Sequence, residues 1–232
     1  MTRPGKTSSD SWSAADESSF TTPLFAAGLE PRLVQACRLH FQLLRRWNDT
    51  HNLTRIVDPS EAAVRHYLDC ALPVLTGSPP RQPFVDVGSG AGFPGLIAAL
   101  VCREQPATLI EPARKRASFL TFAIGALGLT ARVEPPRRDH PGSTGAGAAF
   151  DWVLSRATFS KTARRELWPY VAHGGQLWVW TTTVEQDTWR ELVSTWPDAT
   201  LRWHGYELAG VGERWIAILE RSAATPEHSQ PG

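Results

Sequence analysis

The sequence of 232 residues has little cysteine and no long apolar run. Its three cysteines, Cys37, Cys70 and Cys102, lie far apart without a CxxC pair, which argues against a disulfide framework and against a zinc site. The N-terminus lacks the apolar run of a signal peptide, and no stretch of about 18 apolar residues occurs, so a membrane span is excluded. These absences predict a soluble cytoplasmic protein that needs no metal.

A strong charge of one sign is also missing. The chain carries 24 Lys and Arg residues against 23 Asp and Glu residues, a net charge of +1. This balance excludes a strongly basic nucleic-acid coat protein, but not a protein that grips nucleic acid through one local patch. Hydrophobic residues make up 42% of the chain, which is enough for a core.

Composition and periodicity divide the chain into four parts. Residues 1–22 are rich in Ser, Thr, Asp and Gly, which predicts a disordered extension. Residues 23–78 have helical periodicity and predict a small helical N-terminal subdomain. Strands and helices then alternate over 81–221, and residues 222–232 are expected to form a flexible tail.

Seven strands are predicted in the alternating region. They cover residues 83–88, 107–111, 130–134, 150–155, 174–180, 200–208 and 213–220. Helices between successive strands give an α/β fold, with a mostly parallel sheet and helices on both faces. The last two strands are separated only by a loop around Gly210 and Gly212, so we expect an antiparallel terminal hairpin at one edge.

The strongest local signal is DVGSGAGFPG, residues 86–95, which follows a strand and opens a helix. Glycines allow a tight turn and a close approach of ligand to backbone, and a helix N-terminus offers free N–H groups. The segment contains the dinucleotide pattern G-x-G-x-x-G, but Pro94 removes a donor and the Asp86 carboxylate would repel a diphosphate. The pattern favours a ligand with an ammonium and a sulfonium, such as S-adenosylmethionine. A plain glycine turn with Asp86 as helix cap is the alternative.

An acid at the end of the second strand supports the same ligand class. Glu111 follows Gly88 at the spacing of about 20 residues at which doubly wound sheets place an acid for ribose hydroxyls. Glu111 would also cap the helix that begins near Pro112, and the two roles are compatible. The binding crevice is then expected beyond the carboxyl ends of the strands.

The segment RWNDTHNLTRIVDPSEAAVRHYLD (46–69) contains the pattern W-N-x-x-x-N-L-T … R-H-x-L-D and precedes the glycine segment DVGSGAGFPG. In both segments the chain resembles the small-subunit rRNA methyltransferase G family, also called glucose-inhibited division protein B, whose first motif DVGSGAGFPG matches. Three later segments match in register: LIEPARKRASFL (109–120), LSRAT (154–158) and GERWIAILE (212–220). The resemblance spans about residues 30–220.

The resemblance implies a class I methyltransferase that transfers a methyl group from S-adenosylmethionine to N7 of one guanine in the 530 loop of 16S rRNA. Guanine N7 has an available lone pair and no proton, so the transfer needs alignment rather than a general base, and no catalytic residue is nominated. The expected cofactor contacts combine residues that match the family's motifs with residues of the glycine loop and the second strand. The expected cofactor contacts are Gly88, Gly90, Phe93, Glu111, Arg138, Asp139 and Arg156.

The expected partner is 16S rRNA or the small ribosomal subunit, bound by a monomer. Arginine suits phosphate forks and base stacking. The expected RNA contacts are Arg65, His66, Arg114, Lys115, Arg116 and Arg214. The alternatives are a solvated helix face for the run at 114–116 and structural docking of the N-terminal helices for Arg65 and His66.

One departure from the family follows the fifth strand. The family usually carries a lysine there, whereas this chain has WVWTT over 178–182, without a cation. The missing lysine leaves a change of substrate or a loss of activity open, and two further functions are considered beside it. The three alternatives are a diverged or inactive class I methyltransferase with another substrate, a nicotinamide-dependent oxidoreductase resting on the glycine pattern, and a non-enzymatic RNA-binding module.

Overall fold

The computed structural model describes residues 12–136, 150–156 and 165–223. Seven strands in these ranges form one sheet with the order β3-β2-β1-β4-β5-β7-β6. The strands are β1 (Phe84–Val87), β2 (Ala107–Ile110), β3 (Ala131–Glu134), β4 (Phe150–Ser155), β5 (Val171–Thr181), β6 (Ala199–Leu208) and β7 (Gly212–Arg221). The first five strands pair in parallel, and β7 is antiparallel to both neighbours. The predicted parallel sheet and terminal hairpin are confirmed.

Helices flank the sheet and precede it. They are α1 (Ala14–Ala26), α2 (Pro31–His51), α3 (Pro59–Ala62), a π-helical segment (Ala63–Leu68), α4 (Asp69–Thr76), α5 (Gly95–Val101), α6 (Arg114–Leu127) and α7 (Gln186–Val193). The Asp58 side chain accepts a hydrogen bond from the Glu61 N–H at 2.8 Å, which caps α3. The helices from Pro59 to Thr76 follow one another without a break.

The N-terminal extension is shorter than the composition predicts. Ser13 and Asp16 form a capping box that starts α1. Phe20 of this helix is fully buried and stacks on Phe41 with ring centroids 5.0 Å apart. The prediction of disorder over 1–22 is therefore wrong for residues 14–22, because the apolar side of a short Ser- and Thr-rich helix is recognisable only beside its partner helix. Residues 1–11 lie outside the described ranges.

One apolar core joins the N-terminal helices to the glycine segment. Phe41 and Tyr67 belong to the same buried cluster as Phe93 and Leu96. The imidazole Nδ1 of buried His40 lies 2.8 Å from the Tyr67 hydroxyl oxygen inside this cluster. The helical N-terminal part therefore packs directly against the loop at which β1 ends.

Candidate active site

The glycine loop after β1 uses backbone conformations that favour glycine. Gly88, Gly90 and Gly92 have φ values of +81°, +58° and +100°. The Gly88 and Ser89 N–H groups donate to the Ile110 carbonyl oxygen at 2.9 and 3.1 Å, which fixes the loop on the end of β2. A Cβ added at Gly90 would have its nearest neighbour 4.0 Å away. The loop thus leaves open space over its backbone at Gly90, as the close approach of a ligand requires.

The Asp86 carboxylate lies beneath this loop, where it binds the start of α5 as the helix-cap alternative expected. It is fully buried, and its Oδ2 accepts a hydrogen bond from the Gly95 N–H at 2.9 Å. Burial raises the pKa of Asp86 to about 7, against the effect of hydrogen bonds from Ser89 and Gly95. The carboxylate takes up the Gly95 N–H at the first turn of α5, a donor that a dinucleotide pyrophosphate at this helix start would need. This geometry disfavours the nicotinamide alternative.

Gly95 is the residue that makes this arrangement possible. A Cβ at this position would lie 2.5 Å from Asp86 Oδ2 and 2.5 Å from a methyl carbon of Leu109. Non-bonded contacts that short do not occur for Cβ atoms in proteins. Any side chain at position 95 would therefore displace the carboxylate or the strand. Gly95 therefore serves packing, as does Gly92, where a Cβ would lie 2.5 Å from a methyl carbon of Leu96, whereas Gly90 borders open space.

Glu111 connects the loop to the start of α6. Its Oε2 accepts a hydrogen bond from the Gly90 N–H and its Oε1 one from the Ala113 N–H, both at 2.8 Å. Glu111 is not the N-cap expected from the sequence, because α6 begins at Arg114 with Ala113 as its N-cap, but its carboxylate holds that N-cap residue. Glu111 also lines a groove of about 290 Å³, together with Ser118 and Glu134. An acid at the end of β2 beside an open glycine loop fits the ribose and methionine ends of S-adenosylmethionine.

Phe93 is the point where the two motif regions of the sequence meet. The His66 ring stacks on it with centroids 4.5 Å apart, and the Arg156 guanidinium carbon lies 5.2 Å from its centroid. Tyr67 also contacts Phe93, at 5.3 Å. Successive residues reach one ring because they lie in the π-helical segment, whose wider turn is frequent at functional sites.

His66 is held as a neutral packing group. Its Nε2 lies 2.9 Å from the Thr54 hydroxyl oxygen, and the Thr54 N–H donates to the Asn48 side-chain oxygen at 2.8 Å. Burial, with Arg156 nearby, lowers the pKa of His66 to about 3. An uncharged ring against Phe93 favours the docking alternative for His66 over a contact with RNA phosphates.

Acid should therefore unfold the protein partly through His66. Between pH 6.5 and about 3 the unfolded chain binds a proton at this residue and the folded chain does not, so stability falls as the pH falls through this window. We expect His66→Asn to reduce the slope of unfolding free energy against pH by about 1.4 kcal/mol per pH unit. Urea titrations at several pH values from 4 to 6 measure it, and equal slopes for the two proteins would contradict it.

Asp69 ties together the ends of three strands. Its Oδ2 accepts from Arg156 Nη1 at 2.9 Å, and its Oδ1 accepts from the Tyr206 hydroxyl at 2.8 Å. Its main-chain oxygen accepts from the Trp180 indole N–H at 2.7 Å. Arg156 also donates to the Arg65 main-chain oxygen at 3.1 Å. Sequence reasoning assigned no role to Asp69, although the R-H-x-L-D motif contains it.

A second pocket lies next to the glycine loop, on the side of the sheet at which the parallel strands end. Its volume is about 190 Å³. The residues that line it include Asp69, Arg156, Trp180, Thr181, Tyr206 and Arg214. We call it the edge pocket. Arg156 belongs both to this pocket and to the cluster around Phe93, so the two sites adjoin.

The other expected RNA residues lie apart from this pocket. Arg114, Lys115 and Arg116 are exposed in the first turn of α6, and no carboxylate of the described ranges pairs with them. Arg65 is exposed and its Nε lies 3.4 Å from Glu61.

A feature missed in the sequence is the aromatic surface on α6, where Phe122, 49% exposed, contacts Trp47. Arg138 and Asp139 lie outside the described residues.

Comparison with known protein families shows which family has this sequence. The family model for rRNA small subunit methyltransferase G matches residues 34–196. The chain belongs to this family. It is 28% identical over 211 residues to ribosomal RNA small subunit methyltransferase G of Lactococcus lactis subsp. cremoris strain MG1363, covering 88% of this chain and 89% of the relative. The same-named protein of Streptococcus pyogenes serotype M49 strain NZ131 is 30% identical over 195 residues, covering 81% and 82%.

Two solved structures have the same fold as this member of the rRNA methyltransferase G family. The O-methyltransferase TomG from Streptomyces achromogenes, solved in complex with S-adenosylmethionine, superimposes with a TM-score of 0.54 and 15% identity over 90% of this chain and 99% of TomG. Cofactor-bound Rv0187 from MTB gives a TM-score of 0.54 and 16% identity, covering 85% and 92%. The predicted class I methyltransferase fold is confirmed. In the described ranges no helix is long and apolar enough to cross a membrane.

Proposed function

We propose that this protein transfers the methyl group of S-adenosylmethionine to N7 of a guanine in the 530 loop of 16S rRNA. Its family is one of S-adenosylmethionine-dependent methyltransferases of small-subunit rRNA, and relatives carry that name over most of their length. The observation that carries the finer proposal is the meeting of His66, Phe93 and Arg156, because it unites the two motif regions of the family around one crevice. The cytoplasm, where small subunits are assembled, is the proposed location.

The residues present fit the cofactor. The open backbone of the glycine loop suits the methionine part of S-adenosylmethionine, and the Glu111 carboxylate suits its ribose hydroxyls. Phe93 and Arg156 lie between that crevice and the edge pocket, where the methyl group would be presented. When bound, the cofactor supplies an electrophilic methyl group on a positively charged sulfur.

The chemistry needs no proton transfer. The N7 lone pair forms a bond to the methyl carbon while the carbon–sulfur bond breaks and its electrons return to sulfur. The positive charge passes from sulfur to the guanine ring, so the total charge of the two reactants is unchanged. The protein then has to align the two groups and exclude water. The closely packed cluster around Phe93 suits this task better than a flexible loop would.

The direct test uses the purified protein, S-adenosylmethionine with a labelled methyl group and undermethylated small subunits. We expect incorporation of about one methyl group per subunit, at a base that is sensitive to cleavage chemistry specific for N7-alkylated guanine. Primer extension across the 530 loop then maps the position. Label at another base or another atom of guanine would overturn the proposal, and label on protein or a small molecule only would support the diverged alternative.

The basic run on α6 provides a second prediction. Replacing Arg114, Lys115 and Arg116 together with Ala should weaken RNA binding. Replacing Lys115 and Arg116 alone should leave the affinity for S-adenosylmethionine unchanged, because only Arg114 of this run lines the groove beside Glu111. Three lost phosphate contacts should reduce the slope of log affinity against log salt by roughly two to three units. Filter binding of a 16S rRNA fragment at several salt concentrations measures the slope. Arg81→Ala, an exposed arginine before β1 and so at the opposite edge of the sheet, is the control. An unchanged slope in the triple variant would assign the run to a solvated helix face.

A further inference from the structure

The edge pocket has the position and size of a site for one base. It lies at the ends of β4, β5 and β6, beside the loop that follows β1. Its volume of about 190 Å³ is smaller than the roughly 300–1,000 Å³ of sites for larger organic ligands. Trp180 and Tyr206 supply aromatic walls, and both are held in place by hydrogen bonds to Asp69. Rigid aromatic walls around a small volume are typical of pockets for a base taken out of its stack.

Among the described residues that line this pocket, Arg214 has a polar atom that internal contacts do not satisfy. It is the third residue of β7, lies opposite Tyr206 and lines the pocket while half-buried. Its Nε is buried and has no hydrogen-bond partner among the described residues. Arg156, the other arginine of the pocket, is already paired with Asp69. A buried guanidinium nitrogen without a partner is costly, and such groups in folded proteins commonly mark a site that a ligand completes.

We infer that the edge pocket receives the target guanine and that Arg214 donates a hydrogen bond to its O6. This inference rests on the proposed function and assigns the specificity for guanine to one residue. Because N7 must face the methyl donor, Arg214 reads O6 alone and not the O6 and N7 pair that arginine reads in duplex DNA. Adenine carries an amino group in place of O6, and its N–H would then face the N–H groups of Arg214.

The charges around the pocket suit a base that becomes a cation. Two arginines alone would oppose the positive charge that guanine acquires on methylation. The carboxylates of Asp69 and Glu185 also line the pocket, so its described side chains present two charges of each sign. Asp69 pairs with Arg156, and Glu185 accepts a hydrogen bond from the Thr181 hydroxyl at 3.0 Å. The pocket therefore admits a neutral base and does not repel the charged product.

The test combines a protein change with a change at one edge of the substrate base. The wild type and Arg214→Gln are assayed on a 16S rRNA fragment that carries either guanine or 2-aminopurine at the target position. 2-Aminopurine keeps N7 and the N2 amino group but lacks O6 and the N1 proton, and the loss of the N1 proton is the same for both proteins. We expect the ratio of kcat/KM for guanine to that for 2-aminopurine to be about 10- to 100-fold larger for the wild type than for Arg214→Gln. Comparing ratios cancels any change in the intrinsic reactivity of N7.

Two controls make the outcome decisive. Hypoxanthine at the same position lacks only the N2 amino group, so its ratio should be the same in both proteins. Arg214→Lys keeps a cation and should give an intermediate ratio, and it replaces Arg214→Gln if that variant does not fold. Equal guanine-to-2-aminopurine ratios in an active wild type and in the variant would overturn the role of Arg214 alone. A wild type that methylates no N7 in any rRNA substrate would instead overturn the proposed function, and this inference with it.

Discussion

Gly88→Val is expected to lower the affinity for S-adenosylmethionine by more than about 100-fold while the sheet still forms. Gly88 has a φ of +81°, a conformation that is a genuine outlier for a β-branched residue. The new side chain would also occupy the space through which the ligand approaches the loop. Calorimetric titration with S-adenosylmethionine measures the loss, and circular dichroism at increasing temperature reports whether the fold survives.

Gly128→Val separates the two causes of this effect. Gly128 follows α6 and has a φ of +59°, so valine there suffers comparable backbone strain. A Cβ at Gly128 would meet no atom within 4 Å, and the residue lies at the opposite edge of the sheet from the glycine loop. We expect this variant to lose stability but to bind the cofactor normally. Equal loss of cofactor affinity in both variants would show that strain alone is responsible and that Gly88 does not border the ligand.

Much of the sheet could be predicted because each strand carries its own local signal. Short runs of apolar residues end in glycine, proline or charged loops, and the missing helix between β6 and β7 identified the hairpin. Helix α1 escaped prediction because its two buried residues, Phe20 and Leu24, acquire meaning only beside Phe41 and Tyr67 of distant segments. Local composition is a poor guide wherever a short helix depends on tertiary partners.

The candidate site was predictable to a similar degree. Gly88, Gly90 and Glu111 follow from spacing and strand ends, and the structure brings them together through the hydrogen bond from Gly90 to Glu111. For Asp86 the sequence left a ligand-facing role and a helix-cap role open, and the structure shows the second, because its buried carboxylate binds the first turn of α5. The network around Asp69 could not be read either, since it joins Tyr206 to a residue 137 positions away.

The N-terminal helices are consequently part of the candidate site. They contribute His66 and Asp69, which contact Phe93 and Arg156. A site made of two chain regions has its geometry only when both are packed. The same interactions therefore determine the stability of the helical part and the geometry of the site. Removal of one such interaction should therefore be seen first in folding and only then in chemistry.

Asp69→Ala is expected to destabilise the protein by about 3–5 kcal/mol, the usual effect of removing one partner of a buried ion pair. The Asp69 and Arg156 side chains are 15% and 20% exposed, so solvent screens the pair little. The substitution leaves the Arg156 cation without its counter-charge and removes the acceptor of the Tyr206 hydroxyl. Asp69→Asn keeps an oxygen for Tyr206 and should cost less. Urea unfolding followed by tryptophan fluorescence gives the three free energies.

The double variant Asp69→Ala with Arg156→Met distinguishes an unpaired charge from lost packing. If the main cost of Asp69→Ala is the buried cation, then replacing that cation with an apolar chain of similar length should recover part of the stability. The double variant is therefore expected to be more stable than the sum of the two single changes predicts, by about 1–3 kcal/mol. S-Adenosylmethionine binding should stay weak in it, because the Arg156 side chain over Phe93 is still missing. Strict additivity of the two changes would show that Asp69 and Arg156 act independently and that the bridge between the N-terminal helices and β4 carries no coupling energy.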